Sequence, residues 1–207
     1  KIIFMAEKFV KRAENQSLTK VEEAVAHALL DLENSASELK KELSAMKLHS
    51  VKEVQVTSAD KKAKNVLLVI LEFKSYPILK KYYKKIAAIL EKKLKTPVLF
   101  IAKRTIQSKW VKENKTQKRP ISRTLTKVHE AILDDLVQPA NIVAKSIRHQ
   151  ADGSMVTKIS LDMNEKESVE EKVDAIATVY KKLTSKDLAI DFKQELPFYT
   201  IAKRKSK

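Results

Sequence analysis

The chain has 207 residues, 43% of them hydrophobic, a formal net charge of +16, a sequence pI of about 9.8 and no cysteine. That length and apolar content allow one large domain or two small ones with a real core, while the missing cysteines exclude a disulfide framework, a thiolate zinc site and a cysteine nucleophile. The single glycine, Gly153, excludes the Walker and dinucleotide phosphate loops, which need several glycines for close backbone approach.

The opening residues 2–6, IIFMA, are shorter than a signal peptide's apolar region, and charge follows at once. Lys1 is not an initiator methionine, so the natural start is expected to be missing or processed. Residues 1–17 read as an extension. Over residues 19–33 Val21, Ala24, Val25, Ala28, Leu29 and Leu32 share one helical stripe, and Thr19 with Glu22 has capping-box spacing. Ser35 and Glu38 repeat that spacing before a second short helix carrying Leu39 and Leu43. Residues 48–56 show strand character. Residues 66–73, nearly all apolar and rich in β-branched side chains, suit a strand buried on both faces. A helix is predicted over 77–94, with Pro77 at its first position and Leu79, Tyr82 or Tyr83, Ile86, Leu90 and Leu94 on its apolar stripe. A second buried strand over 98–102 completes a parallel crossover unit. The longest apolar runs, 66–71 and 97–102, are too short to span a bilayer, and the chain reads as soluble and intracellular.

Residues 103–123 are polar and aperiodic and read as a loop. A helix is predicted over 125–137, with Leu125, Val128, Ile132, Leu133 and Leu136 on one side. Strands over 142–148 and 155–161 flank an Asp152-Gly153 hairpin turn. A helix opening at Asn164 carries Val169, Val173, Ile176, Tyr180 and Leu183 on one face, with acids near its start and Lys181 and Lys182 near its end. Residues 188–192 read as a final strand and 193–207 as a tail. No internal repeat is visible.

The positive charge is concentrated. The 103–123 segment holds Lys103, Arg104, Lys109, Lys112, Lys115, Lys118, Arg119 and Arg123 against Glu113, a net +7. The tail, with Lys193, Lys203, Arg204, Lys205 and Lys207 against Glu195, nets +4, and 80–95 nets +6. The rest of the chain is close to neutral. Charge confined to a loop, a tail and a helix face suggests a phosphate footprint, because such contacts release counterions and supply affinity without reading sequence. Trp110 inside the loop suits stacking on an unpaired base, or folding back onto the sheet. The lysines of 80–95 suit either RNA or a plain solvated face, and Tyr82 and Tyr83 either a stacking platform or the core.

Catalytic patterns fail by spacing. In VHEAIL, residues 128–133, a zinc-protease helix would need a second histidine where Leu133 stands. His27, His49 and His149 lie in separate elements, and Ser108 and Ser122 lack an identifiable base. Asp134 and Asp135 diverge by about 100° on a helix and are expected to face solvent opposite the apolar stripe.

Residues 117–143 read QKRPISRTLTKVHEAILDDLVQPANIV. The run QKRP, SRTLT, VH, AIL and DLV resembles the signature of the eukaryote-specific seventh family of small-subunit (40S) ribosomal proteins. ALLDLENSASELKKEL (28–43), LEKKLKTPVLFIAKR (90–104) and YKKLTSKDLAIDF (180–192) agree in order, so the similarity runs over about 18–192. The chain departs where Ile121 replaces an arginine, at TIQSKW (105–110), at LEFKSYP (71–77) and in lacking glycines around 58–64, and so resembles a divergent member. The resemblance implies a non-catalytic structural constituent of the 40S subunit. Such a protein binds small-subunit ribosomal RNA, touches neighbouring ribosomal proteins and supports subunit assembly and pre-rRNA processing. It implies no cofactor, membrane or small-molecule substrate, and a place on cytoplasmic ribosomes after passage through the nucleus and nucleolus.

The expectation is one α/β domain over 18–192, a mixed sheet flanked by helices, with the basic loop leaving after Ala102 and returning at Thr124. Lys118, Arg119 and Arg123 are expected on phosphates near the positive end of the helix at Leu125. Lys103, Arg104, Lys109, Lys112 and Lys115 are expected to neutralise RNA backbone, with Trp110 and the tail cations Lys203, Arg204 and Lys205 as further contacts. The rivals are a nucleic-acid-acting enzyme such as a nuclease, a free RNA-binding accessory factor, and a peripheral membrane-binding or chaperone-like module using 80–95.

Overall fold

Two antiparallel hairpins, each followed by a helical crossover to a parallel third strand, supply the strands among the described residues. The structure is a computed structural model and describes residues 19–35, 40–57, 63–112 and 118–193. The first half runs α1 (Lys20–Ser35), α2 (Lys40–Leu43), β1 (Leu48–Thr57), β2 (Ala63–Leu71), α3 (Tyr76–Leu94) and β3 (Val98–Ala102). The second runs α4 (Leu125–Val137), β4 (Ile142–His149), β5 (Met155–Asp162), a 3-10 turn (Met163–Glu165), α5 (Lys166–Glu170), α6 (Val173–Thr184) and β6 (Asp187–Lys193).

The α/β class, the mixed pairing and the flanking helices match the sequence reading. The strands form two three-stranded sheets, β1-β2-β3 and β4-β5-β6, rather than one. After β3 the chain leaves the sheet edge through the basic segment and enters α4, so the next hairpin starts a new sheet. The two halves share helix, strand, strand, helix, strand order and the same pairings. Even a register irregularity recurs near the start of each first strand, between Leu48 and Ser50 and between Ile142 and Ala144. This repeat is invisible in the residues because hairpin-plus-crossover is set by turn placement and hydrophobic period, which many sequences satisfy.

β2 is the central strand of its sheet, and Val66, Leu67, Leu68, Val69 and Leu71 are all buried, as a strand covered on both faces requires. Leu67, Val69 and Leu71 meet α1 and α3 in one core; Val66 and Leu68 meet α4 and α6 in the other. Ile159 and Leu161 of β5 belong to that second core, so α4 and α6 serve both sheets. On α3 the tyrosine alternative resolves. Tyr83 is buried, edge-on to Phe100 at 5.5 Å, whereas Tyr82 is only partly buried and marks a kink.

The capping box at α1 forms as its spacing predicts. The Thr19 N–H donates to Glu22 Oε2 at 3.0 Å, and the Glu22 N–H donates to Thr19 Oγ1 at 3.4 Å. Glu22 Oε1 also accepts from the Val51 N–H of β1 at 3.3 Å, tying the helix start to the sheet. Thr19→Ala should therefore destabilise the fold by about 1 kcal/mol, measured by urea unfolding. Ser35, expected to start a second helix with Glu38, is instead the last residue of α1, and Glu38 lies outside the described residues.

Two stripes shift. Leu125, expected on the apolar side of α4, is exposed at its first turn. The helix predicted from Asn164 is broken at 171–172, so its second part turns Ala175, Ile176, Val179 and Tyr180 inward, and Leu183 is exposed. Lys172 at the break reaches Glu91 Oε1 at 2.5 Å, which ties this region to α3. In the β4–β5 turn Gly153 has φ +84° and donates to the Gln150 carbonyl at 3.1 Å. A side chain there would meet open space but not an accessible φ, so Gly153→Ala should cost about 1 kcal/mol in thermal or urea unfolding.

Candidate nucleic-acid interface

The basic segment leaves the sheet at the end of β3, and its root is fixed by an ion pair. Arg104 bonds Asp135 of α4 with both terminal guanidinium nitrogens: one close contact from Nη1 to Oδ2, and Nη2 to Oδ1 at 3.1 Å. Asp135 Oδ2 also accepts from the Ala102 N–H at 3.2 Å. The Tyr76 hydroxyl is hydrogen-bonded to the same carboxylate. Burial first, then that charge, push the hydroxyl well above its ordinary pKa, so it stays a donor. Asp135 is thus buried, not solvent-facing as the stripe of α4 suggested. Its helix face looks polar in sequence because the residue it answers, Arg104, lies 31 positions away.

Beyond that anchor the Gln107 N–H donates to the Arg123 carbonyl at 3.0 Å and pinches the segment into a loop. The loop carries two short 3-10 turns, Lys109–Lys112 and Ile121–Arg123. Lys109, Lys118 and Arg123 are exposed, as is Lys103 at the root. Arg119 is partly buried, with an Nε that finds no partner among the described residues. Trp110 is 63% exposed with Lys109 Nζ 5.6 Å from its ring centre, so it does not fold back into the core. Thr124 caps α4 in extended conformation, with its hydroxyl on the Ile121 carbonyl rather than on the helix. The first N–H groups of α4 therefore receive no side-chain cap from Thr124, beside Arg123.

A family model described as ribosomal protein S7e matches residues 9–192. This chain belongs to the ribosomal protein S7e family. It is 43% identical to a small ribosomal subunit protein eS7 of Dictyostelium discoideum, covering 92% of this chain and 98% of that one. It is 36% identical to eS7z of Arabidopsis thaliana, covering 92% and 97%. It is also 36% identical to eS7A of Saccharomyces cerevisiae, covering 87% and 94%.

On this S7e fold the sequence-selected cations divide. Lys103, Lys109, Lys118 and Arg123 stand exposed on or at the root of one loop, with Arg119 partly covered between the last two. Arg104 is turned inward, its side chain 17% exposed and its fork spent on Asp135; its place is the loop's anchor rather than the exposed cationic surface. Lys112 ends the first 3-10 turn, while Lys115, Lys203, Arg204 and Lys205 lie outside the described residues.

Sequence reading missed Phe73 and Lys127, which line a cleft of about 660 Å³ with Lys103, Arg123, Glu130 and Asp134. The sequence pattern extends the buried strand to Phe73, but β2 stops at Leu71. The available signal was the polar step Glu72 and Lys74 on either side of it. Glu130 accepts from Lys127 at 2.8 Å and Lys145 at 3.1 Å, bonds that hold its carboxyl below the usual range. On α3, Lys84 pairs with Glu165 and Lys93 with Asp31, so part of that lysine face is answered within the chain.

Proposed function

We propose that this S7e-family chain is a non-catalytic structural constituent of the small ribosomal subunit, attached to small-subunit rRNA by the exposed cations of its 103–123 loop. The observation that carries this is the separation of charge. Most of the net +16 lies in the 103–123 loop and the tail, and the anchored loop root holds out Lys103, Lys109, Lys118 and Arg123. Phosphate contacts of this kind position a protein on folded RNA without reading sequence. The relatives named small ribosomal subunit proteins, matched over nearly their full length, support the same reading. Lys118, Arg119 and Arg123 sit on phosphate beside the start of α4, while Lys112, Lys115 and the tail cations Lys203, Arg204 and Lys205 neutralise neighbouring backbone. The folded unit spans 18–192. The partners are small-subunit rRNA and adjacent subunit proteins, and the chain supports subunit assembly and pre-rRNA processing. It passes through the nucleus before working on cytoplasmic ribosomes.

Titrating a small-subunit rRNA fragment against salt tests this. Replacing Lys118, Arg119 and Arg123 by alanine should make the slope of log K against log salt shallower by about three. RNA held with the chain and magnesium should be recovered uncut. An unchanged slope, or cleaved RNA, would count against the reading.

A further inference from the structure

The cleft at the loop's root has features that a bare phosphate site does not need. Phe73 is 61% exposed, yet its ring is braced: the Arg104 guanidinium lies 5.7 Å from its centre. Arg104 is itself held by Tyr76 at 5.8 Å and by the buried Asp135. An aromatic surface fixed before anything binds avoids much of the ordering cost of binding. Lys103, Arg123 and Lys127 also line the cleft. So does Asp134, an exposed carboxylate with no hydrogen bond or ion pair among the described residues, whereas Glu130 is already bonded to two lysines.

That mixture selects a ligand class. A purely anionic ligand meets Asp134, and a cation meets Lys103, Arg123 and Lys127. A nucleotide answers all of them: phosphate to the cations, the flat base to Phe73, and an exocyclic amino group to Asp134. We propose that this cleft holds one unpaired nucleotide of the bound RNA, its base stacked on Phe73 and its amino edge donating to Asp134. This rests on the RNA-binding reading above and deepens it. Cytosine, adenine and guanine each carry such an amino group. Uracil carries a carbonyl oxygen where cytosine carries its amino group, which leaves its ring N3–H as the one donor on that edge, and it is disfavoured.

RNA hairpins identical except for one loop nucleotide, bound to the full chain, test the assignment. Hairpins with cytosine, adenine or guanine at that position should bind about fivefold or more tighter than the uracil hairpin. Phe73→Leu should weaken the preferred hairpins about tenfold, while Phe73→Tyr, which keeps the ring face, should not. Asp134→Ala should abolish the discrimination, so that the uracil hairpin binds as tightly as the other three. Ultraviolet cross-linking of the wild-type complex should place the loop nucleotide on the peptide containing Phe73. Wild-type binding without base preference, or equal affinity for Phe73→Leu, overturns the cleft assignment and leaves the phosphate contacts standing. Failure of the wild-type chain to bind any hairpin at low salt overturns the RNA reading itself.

Discussion

Asp135→Ala should be among the most damaging single substitutions, costing about 3–5 kcal/mol and lowering the melting temperature by roughly 10 °C or more. The side chain of Asp135 is 4% exposed and accepts from Arg104, the Ala102 N–H and Tyr76. Removing it leaves a largely buried guanidinium without its counter-charge and orphans a backbone donor at the last residue of β3. Arg104→Met should cost less, since the carboxylate keeps its other two donors. The double variant Arg104→Met with Asp135→Leu should recover part of the loss, because apolar side chains of similar volume replace a buried pair at little net cost. Denaturant unfolding of the wild type, Arg104→Met, Asp135→Leu and the double variant closes the cycle. Losses for the two single variants that simply add in the double variant would mean the pair is not a coupled unit.

Charge reversal of Lys118, Arg119 and Arg123 to glutamate should act on the other property. Lys118 and Arg123 are exposed and Arg119 is only partly buried, so circular dichroism and the melting temperature should stay near wild type. Affinity for small-subunit rRNA should fall on the order of a hundredfold at physiological salt from lost counterion release alone, with repulsion adding to it. The two experiments separate the loop's anchor from its contacts: one unfolds the root, the other leaves the fold intact and removes the attachment.

How far the sequence revealed this depends on the range of each interaction. Elements carried by local period were legible: α4 appears over the residues its stripe marks, β2 is buried on both faces, and Thr19 and Glu22 form the cap their spacing announces. What depended on partners distant in sequence was not. The inward turn of Asp135 follows from Arg104, and the break before α6 accompanies the Lys172–Glu91 bond across 81 residues. The division into two sheets likewise follows from where the chain goes after β3, which no local pattern records. At the interface, the cations and Trp110 were legible from the sequence, and Phe73 was not. Phe73 continues an apolar run in sequence and steps out of it in space, because β2 ends at Leu71 and the turn towards α3 carries the ring to the loop's root.

The most direct test of the central claim, that the loop's exposed cations and not the fold attach this chain to the small subunit, is sedimentation of the tagged protein from cells through a sucrose gradient at moderate salt. The wild-type chain should travel with small subunits, and the folded variant carrying glutamate at 118, 119 and 123 should remain near the top. Equal co-migration of that variant with small subunits would contradict the claim.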